Sequence, residues 1–507
     1  MKQHPDVASQ IEALREAPPD DAVARARVAA AVAALKDLRR DRPDLFTPEA
    51  ARLVRPTGAS PAVEAPDGTP PAPRAAAPRV PRAPGDPLPV LRDVFGFPSF
   101  RPGQRELVDA VLAGRDALGV LPTGSGKSLT YQLPARLLGG VTLVVSPLIA
   151  LMKDQVEAMG RVGLRATFLN SSLEAEERRS RVAAIRRGEF ELVYAAPEGL
   201  EGAAGSALAG ARLSLVAVDE AHCISHWGHD FRPAYRNLAG LRQRFGDVPI
   251  LALTATATPR VAKDIAEQLG MRDPALFRGS VFRPNLRLEV VKKGGDAPRS
   301  REEILDRVRA RRGESGIVYC IARKSAESVA EFLRSRRVKA LAYHAGLEAG
   351  ERERVQDAFL GGETDVVVAT VAFGMGIDKP DIRYVIHRDM PGSVEGYCQE
   401  IGRAGRDGEP SDCVLLYSWA DVMAHDRLAE GVDDPATSRL QRQKARAMFE
   451  WAEASGCRHQ LLGRHFGEDV PPCGSSCDTC APVRAPLALA GAGRRRGTSR
   501  RGESGGR

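Results

Sequence analysis

The stretch Leu121-Pro122-Thr123-Gly124-Ser125-Gly126-Lys127-Ser128 constrains this chain more than any other, because it lies between an apolar run and an apolar segment of helix length. A strand that turns through glycines into a helix aims several backbone N–H groups at one place, and that place suits a polyphosphate. Lys127 would supply a point charge to the outer phosphates, and the Ser128 hydroxyl a coordination position for Mg2+. Leu121 stands where the strict pattern has its first glycine, so the meaning of the loop depends on the residues downstream.

Further along, the apolar run 213–218 reads as a buried strand that ends in Asp219-Glu220-Ala221-His222. Strand ends are where an α/β sheet presents its chemistry. Asp219 is suited to hold a metal and Glu220 to orient and polarise a water, since phosphoryl transfer needs positioning and charge neutralisation more than covalent help. An acidic pair after a strand is commonly a solvated turn; a phosphate loop earlier in the same sheet turns the reading toward ATP hydrolysis. Far along the chain, Gln399-Glu400-Ile401-Gly402-Arg403-Ala404-Gly405-Arg406-Asp407-Gly408 carries two arginines three apart. On one helical turn they would share a side and reach a transferring phosphoryl group as arginine fingers. The alternative is an exposed basic helix end, in which the intervening glycines would have no use.

Strand-like runs alternate with helix-length stretches in two blocks, which predicts an α/β fold of two tandem parallel-sheet lobes. The first block holds runs at 141–145, 191–195, 213–218 and 249–253, and the second at 316–320, 340–343, 365–369, 384–387 and 413–417. The segmentation is a helical N-terminal extension over 1–54, a Pro/Ala-rich linker over 55–88, lobes over 89–283 and 284–420, a small helical module over 421–481 and a basic Gly/Arg-rich tail over 482–507. The net charge is +8, but from Ala481 onward seven arginines meet one glutamate, so six of those charges belong to the tail. Any nucleic-acid track on the body must therefore be local, while the tail reads as a disordered arm or a solvated end. No run suits a membrane span and the start lacks an apolar signal core, so the expected location is cytoplasmic, with nucleoid association if the source is bacterial.

Two further patterns carry chemistry. Trp227, Phe231 and Tyr235 with Arg232 read as a loop of rings and a cation able to stack on unpaired bases, because Gly228, His229 and Asp230 would interrupt a buried element. Ser146 opens a strand-to-helix loop whose N–H groups suit a nucleic-acid phosphate, although an ordinary connecting loop has the same outline. Cys457, Cys473, Cys477 and Cys480 have the spacing C-x15-C-x3-C-x2-C, which fills a closed tetrahedral Zn2+ shell. A disulfide pair is the alternative, and His459 and His465 are near enough in sequence to substitute as ligands.

The phosphate loop, Asp219-Glu220-Ala221-His222, Leu253-Thr254-Ala255-Thr256-Ala257-Thr258 and the 399–406 segment occur in the order of superfamily-two helicase motors. The stretch 223–233, Cys-Ile-Ser-His-Trp-Gly-His-Asp-Phe-Arg-Pro, resembles the aromatic-rich loop of RecQ DNA helicases, and 95–104, Phe-Gly-Phe-Pro-Ser-Phe-Arg-Pro-Gly-Gln, resembles their adenine-recognition motif. The resemblance implies RecA-like lobes and a RecQ-type zinc module. It implies adenine held by Phe97, Arg101 and Gln104, phosphates by Thr123 to Ser128, and nucleotide contacts from Gly376, Asp378 and Gln399. Catalytic work would fall to Lys127, Asp219, Glu220, Arg403 and Arg406, with Mg2+ on Ser128 and Asp219. Strand contact and coupling would fall to Ser146, His222, Trp227, His229, Phe231, Arg232, Thr254 and Thr256. RecQ members usually carry Asn at position 378, where the wider superfamily often has Asp.

The implied activity is an ATP-dependent DNA helicase moving 3′ to 5′ on single-stranded or partly duplex DNA in repair and recombination, using ATP, Mg2+ and Zn2+. A single-strand-binding protein or another repair factor is the expected partner class. Only 27 residues follow Cys480, too few for the winged-helix and further helical domains of many RecQ proteins. That keeps a strand-annealing or translocating module with little unwinding as the alternative, and an RNA helicase as a more distant one.

Overall fold

Strands buried on both faces need continuous apolar runs, and this chain supplies them in two sets. The computed structural model describes residues 85–481 except 148, 171, 201–204, 206, 207, 209, 229, 295, 296, 375 and 376. The first sheet comprises β1 (Ala117–Val120), β2 (Val141–Val145), β3 (Ala166–Leu169), β4 (Leu192–Ala195), β5 (Leu213–Val218), β6 (Ile250–Thr254) and β7 (Ala275–Arg278). They lie in the order β3-β4-β2-β5-β6-β1-β7, every pairing parallel. The second comprises β8 (Leu286–Lys292), β9 (Ser315–Tyr319), β10 (Ala340–Tyr343), β11 (Val366–Ala369), β12 (Ile382–His387) and β13 (Ser411–Tyr417), in the order β10-β11-β9-β12-β13-β8 and again parallel.

The two-residue period of a strand divides each run between two cores. Val141, Leu143 and Val145 of β2 pack on one face of the first sheet, and Val144 on the other. In β11, Val367 and Ala369 join one core of the second sheet, and Val366 and Val368 the other. Helices cover both sheets, as parallel crossovers require. The changeover between sheets falls between Arg278 and Leu286. Helices Trp419–Glu430, Pro435–Glu453 and Arg458–His465 follow the second sheet. Their terminal loop meets edge strand β8, where Leu288 N donates to Ser476 O at 3.0 Å and Asp478 N to Leu288 O at 2.9 Å.

Three features differ from the sequence reading. Helix Pro87–Asp93 begins inside the segment assigned to the linker, because the Asp86 carboxylate accepts from Leu88 N and Pro87 fits the first helical turn. The strands β3, β7 and β8 were not singled out in the sequence. Arg403 and Arg406 do not share a helical turn: the helix Val394–Ile401 ends before them, and they sit on the turns beyond it. The N-terminal extension, residues 55–84 of the linker and the basic tail lie outside the described residues, as do His229 and Gly376.

Candidate active site

The phosphate loop leaves β1 at Val120 and enters the helix Leu129–Leu138 after Ser128. Gly124 and Gly126 have φ of +81° and +77°, values that side chains rarely tolerate. A side chain would also disturb the loop's support: a Cβ on Gly126 would lie 2.7 Å from Gln104 Nε2 and push that amide aside. Gln104 donates through Nε2 to Ser125 O and Gly126 O, both at 3.0 Å, while its Oε1 accepts from Arg101 N at 2.9 Å. Arg101 Nη1 donates to Gly124 O at 2.6 Å. Arg101 and Gln104 thus brace the loop backbone, whereas Phe97 is 49% exposed and does not line the cavity beside the loop. Lys127 Nζ donates to Leu121 O at 3.2 Å, and burial lowers its pKa against the charges of Glu220 and Asp219.

At the end of β5, Asp219 N is anchored to Val145 O at 2.8 Å, and its carbonyl accepts from the buried Tyr235 hydroxyl at 2.9 Å. Burial first, then the neighbouring Glu220 charge, push the Asp219 carboxyl well above the usual carboxylate range; Lys127 opposes them. Glu220 adopts φ 46° and ψ 44°, a left-handed conformation costly for a residue with a Cβ. That turn starts the short helix Ala221–Ile224 and brings Glu220 Oε2 to 3.3 Å from His222 Nδ1. The same His222 Nδ1 lies 2.9 Å from Thr254 Oγ1 at the end of β6, and Thr254 Oγ1 donates to Thr256 O at 3.1 Å. Burial holds His222 down at about 4, so its ring is neutral at physiological pH.

Across from this edge, the turns after Ile401 carry the arginines. Arg403 donates to Gly374 O, and Arg406 Nη1 pairs with Asp378 Oδ1 at 2.7 Å. A Cβ on Gly124 would lie 3.1 Å from Arg406 Cγ, so the arginine stem lies against the phosphate loop. Burial, then Arg403, lower the Arg406 pKa. Arg283 holds this turn through Gly402 O at 3.0 Å and Gly405 O at 2.5 Å, and Asn285 Nδ2 donates to Gly405 O at 2.9 Å. Gly405 is obligatory, with φ +54° and Asn285 Nδ2 only 2.6 Å from where a Cβ would sit.

One cavity of about 420 Å³ unites these groups: Lys127, Ser128, Asp219 and Glu220 from the first lobe face Asp378, Gln399, Arg403 and Arg406 from the second. Ser146 lies on this wall at the end of β2, together with Thr123, Gly124 and Gly126. Ser125 Oγ, Arg403 Nε and Arg406 Nε are buried without a hydrogen-bond partner among the described residues. Unsatisfied donors and guanidinium groups around a glycine loop fit a polyanion that would accept from them. Trp227, Phe231 and Arg232 lie outside the cavity on the segment after the acidic turn. Arg232 forks onto Asp230 Oδ2 at 3.1 and 2.9 Å.

The four module thiols also converge. Their sulfurs lie within 4.8 Å of one another, with Cys477 and Cys457 Sγ 4.0 Å apart. A tetrahedral Zn2+ with ordinary Zn–S bonds places sulfurs about 3.8 Å apart, so the cluster fits that ion. His459 and His465 are not part of it: His459 Nε2 faces Leu286 O at 3.1 Å and His465 Nε2 faces Glu395 Oε1 at 2.9 Å. None of the eight cysteines forms a disulfide. Tyr235, read as one of the stacking rings, is instead fully buried with its hydroxyl on Asp219 O, so it supports the acidic turn and cannot meet a base. The supports Arg283 and Asn285 were not foreseen, nor was Lys444, whose Nζ donates to the carbonyls of Trp227 and Gly228 at 2.7 and 2.5 Å. The boundary position of Arg283 and Asn285 was the one signal available for any of them.

Three family models match consecutive parts of the chain: DEAD/DEAH box helicase over residues 101–265, helicase conserved C-terminal domain over 300–408 and RecQ zinc-binding over 419–481. The chain is 46% identical over 396 residues to the ATP-dependent DNA helicase RecQ of Pasteurella multocida, covering 78% of this chain and 62% of that protein. With the RecQ helicase of Bacillus subtilis, identity is 42% over 399 residues, covering 78% and 67%. The fold is similar to that of Mycobacterium smegmatis helicase Lhr bound to ssDNA and AMP-PNP, with TM-score 0.53 and 24% identity over 73% of this chain and 58% of that one. The two helicase models, one over each sheet, place the chain in the class of superfamily-two motors. Within it, this chain belongs to the RecQ family. It spans about 62% of the length of the P. multocida relative.

Proposed function

We propose that this chain is an ATP-dependent DNA helicase in which hydrolysis between the lobes drives 3′-to-5′ movement along single-stranded DNA and parts a duplex. The observation that carries this reading is the meeting, in one cavity, of Lys127, Ser128, Asp219 and Glu220 with Asp378, Gln399, Arg403 and Arg406. On this reading the motor lobes are 89–283 and 284–420 and the zinc module 421–481.

In the proposed chemistry the loop N–H groups from Thr123 to Ser128 and the Lys127 ammonium hold the polyphosphate, while Arg101 and Gln104 set the shape of that loop near the base. Ser128 and Asp219 would hold Mg2+, which when bound neutralises charge on the outer phosphates. Glu220 orients the attacking water, its left-handed backbone fixing the carboxylate close to His222. Arg403 and Arg406 stabilise the charge that develops on the transferring group, with Arg406 leaving Asp378 for phosphate. His222 and Thr254 connect the hydrolytic turn to the end of β6, and Thr256 lies next to them. Trp227 and Phe231 contact unpaired bases, so the loop after Glu220 reports the strand to the hydrolytic group. The module thiolates hold Zn2+ in a structural role. Single-stranded and partly duplex DNA is the proposed substrate, repair and recombination the setting, with a single-strand-binding protein as a proposed partner and the cytoplasm or nucleoid as the location.

The test is strand separation of a short duplex with a 3′ single-stranded tail, against a 5′-tailed control, with and without ATP. The expected result is ATP-dependent separation of the 3′-tailed duplex alone. DNA-stimulated hydrolysis with no separation of either duplex would refute the unwinding step.

A further inference from the structure

Each ring of the loop after Glu220 already has a partner on one face in this conformation, although Trp227 stays 40% exposed. The Arg260 guanidinium lies over the Trp227 ring at 3.2 Å from its centroid, and His226 stacks on Phe231 at 4.0 Å. Arg236 lies near the Phe231 ring as well, at 5.3 Å. The backbone folds back on itself: Gly228 N donates to Ser225 O at 3.0 Å, and a Cβ on Gly228 would meet His222 O at 2.3 Å. Ser225 ties the bend to the helix Pro259–Gln268 by donating to Asp264 Oδ2 at 2.5 Å while accepting from Trp227 N at 3.2 Å.

All these ties lie within the first lobe except one. Lys444, on the helix Pro435–Glu453 of the zinc module, reaches across and donates hydrogen bonds to the carbonyls of Trp227 and Gly228. Lys444 is half-buried, and burial lowers its pKa against the charge of Glu395 on the second lobe. Charge-assisted bonds from such a group hold a loop more firmly than a water-exposed contact would. A base that takes the Trp227 face now covered by Arg260 displaces that guanidinium, and a shift of residues 227–228 strains the Lys444 bonds.

We propose that Lys444 is a positioning residue: a latch by which the zinc module keeps the aromatic loop closed, and Glu220 and His222 in their strand-free arrangement, until a single strand displaces it. This rests on the proposed reading of the cleft as an ATPase coupled to a strand. A latch that favours the closed state must weaken strand binding by the same factor by which strand binding weakens the latch.

The experiment measures binding of labelled oligothymidylate by anisotropy without nucleotide, and ATP turnover against oligothymidylate concentration. Wild type, Lys444→Met, Lys444→Arg and Arg260→Met are compared, with zinc content determined for each. Lys444→Met is expected to tighten oligothymidylate binding about fivefold or more, the lower range of measured couplings, and to raise strand-free turnover with KM for ATP unchanged. Lys444→Arg restores wild-type behaviour, and Arg260→Met shifts binding in the same direction as Lys444→Met. Unchanged or weaker strand binding in Lys444→Met overturns the latch. If that variant loses its zinc or fails to fold, unchanged binding in Arg260→Met overturns it instead. If wild type hydrolyses no ATP, the ATPase reading falls, while the binding comparison still decides the latch.

Discussion

The two sides of the cleft are built differently although both rest on parallel sheets. The first lobe presents its groups directly at strand ends: the loop after Val120, the acidic turn after Val218 and Thr254 at the end of β6. The second presents Arg403 and Arg406 from turns beyond a helix, held in place by Arg283, Asn285 and Gly374. Strand-end groups are fixed by the sheet itself, whereas turn-borne groups depend on side-chain contacts borrowed from distant parts of the chain, Asn285 and Gly374 of the same lobe and Arg283 at the boundary. In the proposed function, binding and water positioning fall to the first side and the switchable charge to the other. Asp378, which holds Arg406 at 2.7 Å, marks where that charge rests before an anion takes it.

Changes on the rigid side should have the largest effect. Glu220→Gln keeps the shape of the turn and removes the water-orienting charge, so turnover should fall about a thousandfold or more with nucleotide affinity retained, as read by single-turnover hydrolysis and nucleotide titration. Turnover within tenfold of wild type would place the hydrolytic group elsewhere. Removing the zinc shell strikes the side that depends on borrowed contacts. Cys477→Ser should abolish bound zinc in metal analysis and lower the melting temperature by several degrees, because metal binding and folding are linked. Trp227→Ala combined with Phe231→Ala should cut stimulation of ATP turnover by single-stranded DNA about tenfold, since stacking is worth roughly 1–3 kcal/mol per base. Undiminished stimulation would mean that the loop does not report the strand. The smallest effect belongs to Asp378→Asn, which removes a charge from a 90%-exposed side chain. Turnover should stay within about twofold, with a modestly lower KM for ATP as Arg406 is released more readily.

The same contrast governs what was legible in the sequence. Groups at strand ends announce themselves, because the apolar run 213–218 leads directly into Asp219 and Glu220, and the loop glycines are local necessities. The turn that carries Arg403 was recognised by its arginines and glycines, but its placement was not, because Arg283 and Asn285 hold it across more than a hundred residues. Lys444 is one of several basic residues on its helix, and nothing local distinguishes it from its exposed neighbours. Strands β3 and β7 are short edges with partly exposed residues, and β8 is an edge that carries Arg287 and Glu289, so none has the continuous apolar run that revealed the central strands. The cysteine spacing pointed to the zinc cluster directly. That His459 and His465 stay outside it depends on Leu286, Ser476 and Glu395, which only the fold brings near them.

The central claim is that one hydrolytic site needs both lobes, and steady-state ATP turnover with saturating single-stranded DNA tests it directly. Lys127→Ala and Arg406→Ala are compared with wild type. Both variants should lose at least about a hundredfold, with Arg406→Ala still binding nucleotide. Full turnover in Arg406→Ala beside a dead Lys127→Ala would contradict the claim, because the first lobe would then hydrolyse ATP without charge from the second.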